Sequence, residues 1–242
     1  MEEVRLNKYL SSCGICSRRD ADKLIEQGVV TVGGTVAVQG MKVTGQDVVC
    51  VRGKRVEGYA RKVVLAYYKP VGVVCTERDA HAERTVADEI QYPVRLTYAG
   101  RLDKDSEGLL LMTNDGTLID AMMRSAHRHE KEYLVTSSEA WSDEALANMR
   151  QGVYLEELDA TTRPCEIERV GLKTIRMVLT QGLNRQIRRM CAAQSYRVDS
   201  LKRTRVINIT LDKLKPGEYR ELTPDEMKEL YRICKVDIEA DV

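Results

Sequence analysis

The chain has 242 residues, with 38 Lys and Arg against 37 Asp and Glu, 43% hydrophobic residues, seven Cys and no Phe. Charged residues at 31%, interspersed among Val- and Leu-rich stretches, exclude a disordered low-complexity chain and a collagen-like one; the length suits one large domain or a small one joined to a medium one. The neutral total hides local asymmetry, because segment charges run +2 for 1–60, −1 for 61–137, −5 for 138–160, +1 for 161–173, +8 for 174–215 and −4 for 216–242.

The N-terminus, Met1-Glu2-Glu3-Val4-Arg5, has neither the basic nor the apolar region of a secretory signal. The longest apolar runs, Val63 to Tyr68 and Leu109 to Met112, fall far short of the roughly 20 residues a membrane span needs. A soluble, cytoplasmic protein with no membrane partner is expected. Cys13 and Cys16 form the one Cys-x-x-Cys pair, and no second pair stands at metal-ligand spacing. Reduced, mostly buried thiols and no metal are the expectation; zinc or redox chemistry would need a context that is absent.

In chain order, Leu6, Tyr9 and Leu10 recur at helical spacing, and Ser17 followed by Asp20 marks the start of a second helix with Ala21, Leu24 and Ile25 on one face. Gly28 is placed to end it. Val29 to Val32, Gly33-Gly34 and Thr35 to Val38 then read as a hairpin, and Val48 to Val51 as a third strand. Arg5, Lys8, Arg18, Arg19 and Lys23 lie near the helices, a pattern that by itself fits a solvated face. The polar segment 53–62 reads as a linker between an N-terminal module, 1–58, and a larger domain, 62–236.

Beyond it, strands are predicted at 63–68, 71–75, 131–137, 174–180 and 205–211, and helices at 117–124, 142–150, 185–194 and 224–234. The mixture predicts an α+β domain with a mixed, largely antiparallel sheet and flanking helices. Residues 100–116, Gly-Arg-Leu-Asp-Lys-Asp-Ser-Glu-Gly-Leu-Leu-Leu-Met-Thr-Asn-Asp-Gly, make a Gly-flanked polar loop feeding a short apolar strand. A charged solvent-exposed turn, a catalytic loop and a glycosidase-like pair of Asp103 with Asp105 or Glu107 are all open on composition. Residues 174–215 hold ten Lys or Arg against two acids, the electrostatic footprint of a polyanion.

The N-terminal module resembles the S4 RNA-binding domain through Arg5-Leu6-Asn7-Lys8-Tyr9-Leu10, Cys16-Ser17-Arg18-Arg19, Ile25-Glu26-Gln27-Gly28 and Val29 to Val32. The 100–116 string resembles the signature of the RsuA/RluB/RluE/RluF group of pseudouridine synthases. Three ordered segments support it: Tyr68-Lys69-Pro70-Val71-Gly72, Lys131-Glu132-Tyr133-Leu134-Val135 and Gln181 to Met190. The wording at His129 to Tyr133 and at Gln181 to Asn184 looks most like the RluF branch, which acts on 23S ribosomal RNA.

The resemblance implies an isomerase with no cofactor, acting on ribosomal RNA, 23S rather than 16S or a tRNA anticodon stem-loop, and a monomer is expected. A non-catalytic S4-type RNA-binding or ribosome-assembly factor is the alternative. By resemblance Asp103 is the catalytic carboxylate, Tyr133 the surface on which the flipped base stacks, Arg188 the cation beside Asp103 with Arg185 as its nearest rival, and Leu201 a lining of the base pocket. Tyr133 and Leu201 read equally as ordinary core. Arg101, Arg185, Arg189 and Arg203, with the five S4 cations, are expected to meet RNA phosphates. The acidic segments are expected to lie away from the RNA-facing cleft.

Overall fold

A computed structural model describes residues 3–57, 61–76, 83–124 and 128–237. Part of the expected linker, and residues 238–242 of the acidic segment 216–242, lie outside these residues.

β1 (Val4–Arg5) runs into α1 (Leu6–Ser12), and α2 (Arg18–Glu26) starts at Ser17, whose Oγ accepts the Asp20 N–H at 3.1 Å. After Gly28, at φ +68°, come β2 (Val30–Val32), β3 (Thr35–Val36), β4 (Lys42–Val43), β5 (Val49–Val51) and β6 (Lys54–Arg55). A four-stranded sheet ordered β3-β2-β5-β6 replaces the expected three strands, and β1 pairs with β4. Leu6, Leu10, Ile25, Val30, Val43 and Val49 share one core drawn from this segment alone.

The rest of the chain builds β7 (Val64–Lys69), α3 (Val86–Glu89), β8 (Thr97–Ala99), β9 (Glu107–Thr113), α4 (Gly116–Met123), β10 (Lys131–Ser137), α5 (Asp143–Gln151), β11 (Tyr154–Leu155), β12 (Ala160–Thr161), β13 (Glu166–Arg169), β14 (Thr174–Leu179), α6 (Gln186–Ala193), β15 (Val198–Val206), β16 (Ile209–Thr210), β17 (Tyr219–Glu221) and α7 (Pro224–Cys234). One nine-stranded sheet is ordered β13-β14-β10-β15-β9-β7-β17, with β16 on β15 and β8 on β9. Among the described pairings of this sheet, only β9 with β15 is parallel, through Lys202 opposite Glu107 and Arg203 opposite Gly108. The domain is therefore α+β with a largely antiparallel sheet.

Side chains alternate between the two faces of a strand, which sorts the core. Val64, Ala66 and Tyr68 of β7 and Leu109 and Leu111 of β9 face α4 and α7. Leu65 and Tyr67, with Leu110 and Met112, face Val73, Val86 and Leu102 on the other side. Val135, Met177 and Leu201 pack on α5 and α6, and register places them on the same face as Leu65 and Leu110. Both faces of β7 are covered, and every one of its residues is buried.

Two predicted strands differ. Residues 71–75 make only an isolated bridge, Val74 to Thr85, because Pro70 lacks an N–H and Gly72, at φ +93°, turns to donate to the Lys104 carbonyl at 2.7 Å. The strand expected at 205–211 is instead a hairpin of β15 and β16, reversed at Ile207, whose φ is +57°.

Gly108 sits at φ +109°, and a Cβ there would lie 2.2 Å from the Arg203 carbonyl oxygen. Gly108→Ala should therefore cost at least about 3 kcal/mol in urea unfolding. Gly72→Ala, also at positive φ but with nothing within 4 Å of the added carbon, should cost only about 1–2 kcal/mol. Equal losses would show that the β9–β15 approach is not the constraint.

Candidate active site

A single row of residues crosses four strands: Tyr133 of β10, Arg203 of β15, Gly108 of β9 and Lys69 of β7. Residues directly opposite one another in a sheet project from one face. This row lies between the two apolar clusters of that face, and Tyr133 packs against both. The empty position at Gly108 leaves room between Arg203 and Lys69.

The loop joining β8 to β9, residues 100–106, is fixed beside this row. Arg203 Nε donates to the Leu109 carbonyl at 2.7 Å and Nη1 to the Arg101 carbonyl at 3.3 Å, so one side chain holds both flanks of the loop. Leu102 is buried and its N–H donates to Cys75 Sγ at 3.4 Å. The Ser106 N–H closes a turn on the Asp103 carbonyl at 3.1 Å. The Asp103 side chain, on this held backbone, remains 35% exposed.

The three acids of the loop have separate fates. Asp105 takes a bidentate pair from Arg185 at 3.1 and 2.9 Å, with Arg188 Nε 3.3 Å away. Glu107 accepts the Tyr68 hydroxyl at 2.8 Å. Among the described residues, the Asp103 carboxylate has only the approach of Arg185 at 3.7 Å. Hydrogen bonding from Arg185 holds the Asp105 carboxyl below the usual range, with Arg188 adding to it against burial.

Arg185 rather than Arg188 is thus the cation nearest Asp103. It sits just before α6 with φ +49°, outside the helix that was expected to include it. Arg188 donates instead to the carbonyls of Asp105, at 2.7 Å, and Val198, at 3.2 Å.

Beneath the loop, Lys69 is fully buried and donates to the Pro70 and Val73 carbonyls at 2.8 and 2.9 Å. Burial lowers its ammonium to about 8, while Cys75, Asp103 and Asp105 oppose the shift. Lys131 is likewise lowered to about 8 by burial, with Arg203 adding to it. Sequence reasoning assigned no role to Lys69, Lys131 or the Asp105 pairs. The available signals were that both lysines lie in segments carrying the resemblance, Tyr68 to Gly72 and Lys131 to Val135, and that Lys69 ends an apolar run.

Arg203 was expected to meet phosphate, but it is 2% exposed and bonded to backbone carbonyls. Leu201 is buried opposite Val135. Arg101, Arg185, Arg5, Lys8, Arg18, Arg19 and Lys23 are exposed, Lys23 beside Asp20 at 3.4 Å. Arg189 bonds to the Asn184 carbonyl at 3.0 Å and pairs with Glu157.

The acidic stretch at 138–160 does not lie apart. Glu156 and Glu157 line one cleft of about 590 Å³ with Arg185, Arg188 and Arg189. Acids outside the block also meet Arg176, at Glu132 and Glu168, and Arg205, at Glu130. The +8 excess of 174–215 is therefore partly neutralised in space. Among the described residues no group of three or more His, Cys, Asp or Glu could hold a metal. All seven cysteines are free thiols, with three buried and four half-buried rather than mostly buried.

Residues 63–193 match the model of the RNA pseudouridylate synthase family, and residues 4–49 that of the S4 domain. The chain is 43% identical over 234 residues to the dual-specificity RNA pseudouridine synthase RluF of Salmonella typhi, covering 96% of this chain and 80% of that one. It is 36% identical over 234 residues to the ribosomal large subunit pseudouridine synthase B of Bacillus subtilis strain 168, covering 93% and 95%. A solved pseudouridylate synthase superposes with a TM-score of 0.70 at 28% identity, covering 94% of this chain and 99% of that one.

Replacing Asp105 by Asn should free two guanidiniums for phosphate. Binding of an RNA oligonucleotide should tighten at low salt, and the slope of log K against log salt should steepen by about 0.7 for each added single-strand contact. A slope unchanged from wild type would mean that these arginines do not face the RNA.

Proposed function

The chain belongs to the RNA pseudouridylate synthase family and is an RNA pseudouridine synthase, and from that premise we propose that it isomerises one uridine of 23S ribosomal RNA, with Asp103 as the carboxylate acting at the sugar. The reaction breaks the N1–C1′ bond, turns the base and joins C5 to C1′. It needs an ionised carboxylate that either attacks C1′ or takes the C2′ proton, and a pocket that retains the detached base.

The observation that carries the assignment is the contrast among the three acids of the loop. Asp105 is occupied by a bidentate pair and Glu107 by the Tyr68 hydroxyl. Among the described residues Asp103 alone of the three has a carboxylate with no hydrogen bond to it, 35% exposed, on a backbone fixed beside the row and with a guanidinium 3.7 Å away. The same contrast argues against a glycosidase pair, since neither partner acid is available.

Tyr133, on the sheet face beside the loop, supplies the stacking surface for the flipped base, and Leu201 an apolar wall. Arg185 and Arg188 hold the neighbouring Asp105 carboxyl and so place positive charge beside the loop. Arg101 and Arg189 hold phosphates near the target, and Arg5, Lys8, Arg18, Arg19 and Lys23 hold the flanking RNA structure, as basic S4 helices would. The B. subtilis relative's name, a ribosomal large subunit synthase, supports a large-subunit RNA as substrate.

Asp103→Asn should bind RNA within about threefold of wild type and lose at least about a thousandfold in tritium release from C5-tritiated uridine. Appreciable turnover by that variant would refute the assignment. A panel of 23S, 16S and tRNA anticodon stem-loop substrates identifies the RNA, with 23S expected to react. Removing residues 1–58 should weaken RNA binding and flatten its salt dependence while the nine-stranded sheet stays folded. An unchanged salt slope would mean that the module binds something other than RNA.

A further inference from the structure

Arg203, Lys69 and Lys131 form a cationic patch that the proposed chemistry leaves unused. Arg203 is 2% exposed, Lys69 is fully buried and Lys131 is half-buried at the start of β10. Arg203 and Lys69 flank Gly108 on the strands to either side of β9, about 10 Å apart across the sheet, and Gly108 puts no side chain between them. Arg203 interacts electrostatically with both lysines, and Lys69 with Asp103 and Asp105.

Among the described residues no carboxylate pairs with Arg203. Its Nε and Nη1 bond to carbonyls, and its buried Nη2 has no acceptor. A desolvated guanidinium with a spare N–H is costly to keep unless negative charge arrives beside it. Pre-placed donors of this kind stabilise charge that develops during a reaction.

We propose that this patch stabilises the negative charge on the uracil ring as it leaves C1′, with Arg203 Nη2 donating to a ring carbonyl oxygen. The inference rests on the isomerase reading above. In either route the N1–C1′ bond breaks with its electron pair remaining on the base, so the departing ring is an anion with charge on N1 and its carbonyl oxygens. Where Asp103 takes the C2′ proton, it later returns it; where it attacks C1′, the ester bond so formed breaks as C5 bonds to C1′, and its electron pair returns to the carboxylate. The ring then turns, a π pair at C5 forms the C5–C1′ bond, the C5 proton leaves to solvent and N1 regains a proton. Atoms and electrons balance without an oxidant or reductant. Register places Tyr133, the stacking surface, directly opposite Arg203 on the same face. Arg203 is on this account a catalytic residue and not a phosphate grip.

The test compares leaving groups. RNA carrying either uridine or 5-fluorouridine at the modified position is followed under single turnover by nucleoside chromatography as loss of the starting nucleoside, since fluorine withdraws electrons and makes the base a better leaving group; having no C5 proton to lose, the rearranged fluorinated ring keeps its fluorine and adds water across C6 and N1. Arg203→Gln should slow uridine rearrangement by roughly 100- to 1000-fold, and 5-fluorouridine by at least about tenfold less, whereas Arg203→Lys, which keeps the charge, should lose less on both. Equal losses on the two bases would overturn the proposal and leave Arg203 as a clamp on the loop. If Arg203→Gln does not fold, Lys131→Gln carries the same comparison: a weaker but still base-selective loss is expected, and an equal loss overturns the proposal. Asp103→Asn should abolish reaction of both bases, and a wild-type protein that converts neither would instead refute the isomerase reading itself.

Discussion

Two parallel residue pairs, Lys202 with Glu107 and Arg203 with Gly108, join the two halves of the nine-stranded sheet. On one side lie β13, β14, β10 and β15 with α5 and α6; on the other lie β9, β7 and β17 with α4 and α7. The approach is close enough that only glycine fits at 108. It also permits Arg203, from one half, to bond the carbonyls of Arg101 and Leu109 in the other. The loop bearing Asp103 is thereby fixed where the halves meet, within reach of arginines at the start of α6 from the first half and of the buried lysine of β7 from the second.

That junction also accounts for the division of labour among charges. Asp105 absorbs the guanidiniums of Arg185 and Arg188, which draws cations to the loop without neutralising Asp103 directly. Glu107 belongs to the strand and is held by Tyr68. Below them the cations are dry and bonded to carbonyls rather than to acids, an arrangement that costs stability and is retained where charge must be met.

The elements most legible in the sequence are those whose limits are set locally. β10 occupies the predicted 131–137, since the strand-favouring Tyr133, Val135 and Thr136 run there without a turn signal. α7 occupies the predicted 224–234, with Pro224 at its first position and a reciprocal capping box of Thr223 and Glu226. What was not legible depends on distant chain. Val71 to Cys75 has strand-like composition, but the Gly72 N–H is committed to Lys104. Ile207 turns at a positive φ that a β-branched residue rarely adopts. Arg203 reads as a surface cation because its burial is imposed by Gly108, 95 residues earlier in the chain. Within the site, the motif pointed to Asp103, whereas the preference of Arg185 and Arg188 for Asp105 follows from where α6 docks. The charge footprint was the least transferable sign, because Glu130, Glu132, Glu157 and Glu168 neutralise in space a block that is basic in sequence.

The central claim is that Asp103, held at the junction of the sheet halves, converts a uridine of 23S ribosomal RNA. Its most direct test is carbodiimide-blocked primer extension on 23S, 16S and transfer RNA from cells with the gene, without it, and carrying Asp103→Asn in its place. One 23S stop should disappear on deletion, return with the wild-type gene and fail to return with Asp103→Asn. A stop restored by Asp103→Asn, or an unchanged 23S pattern in the deletion, would contradict the claim.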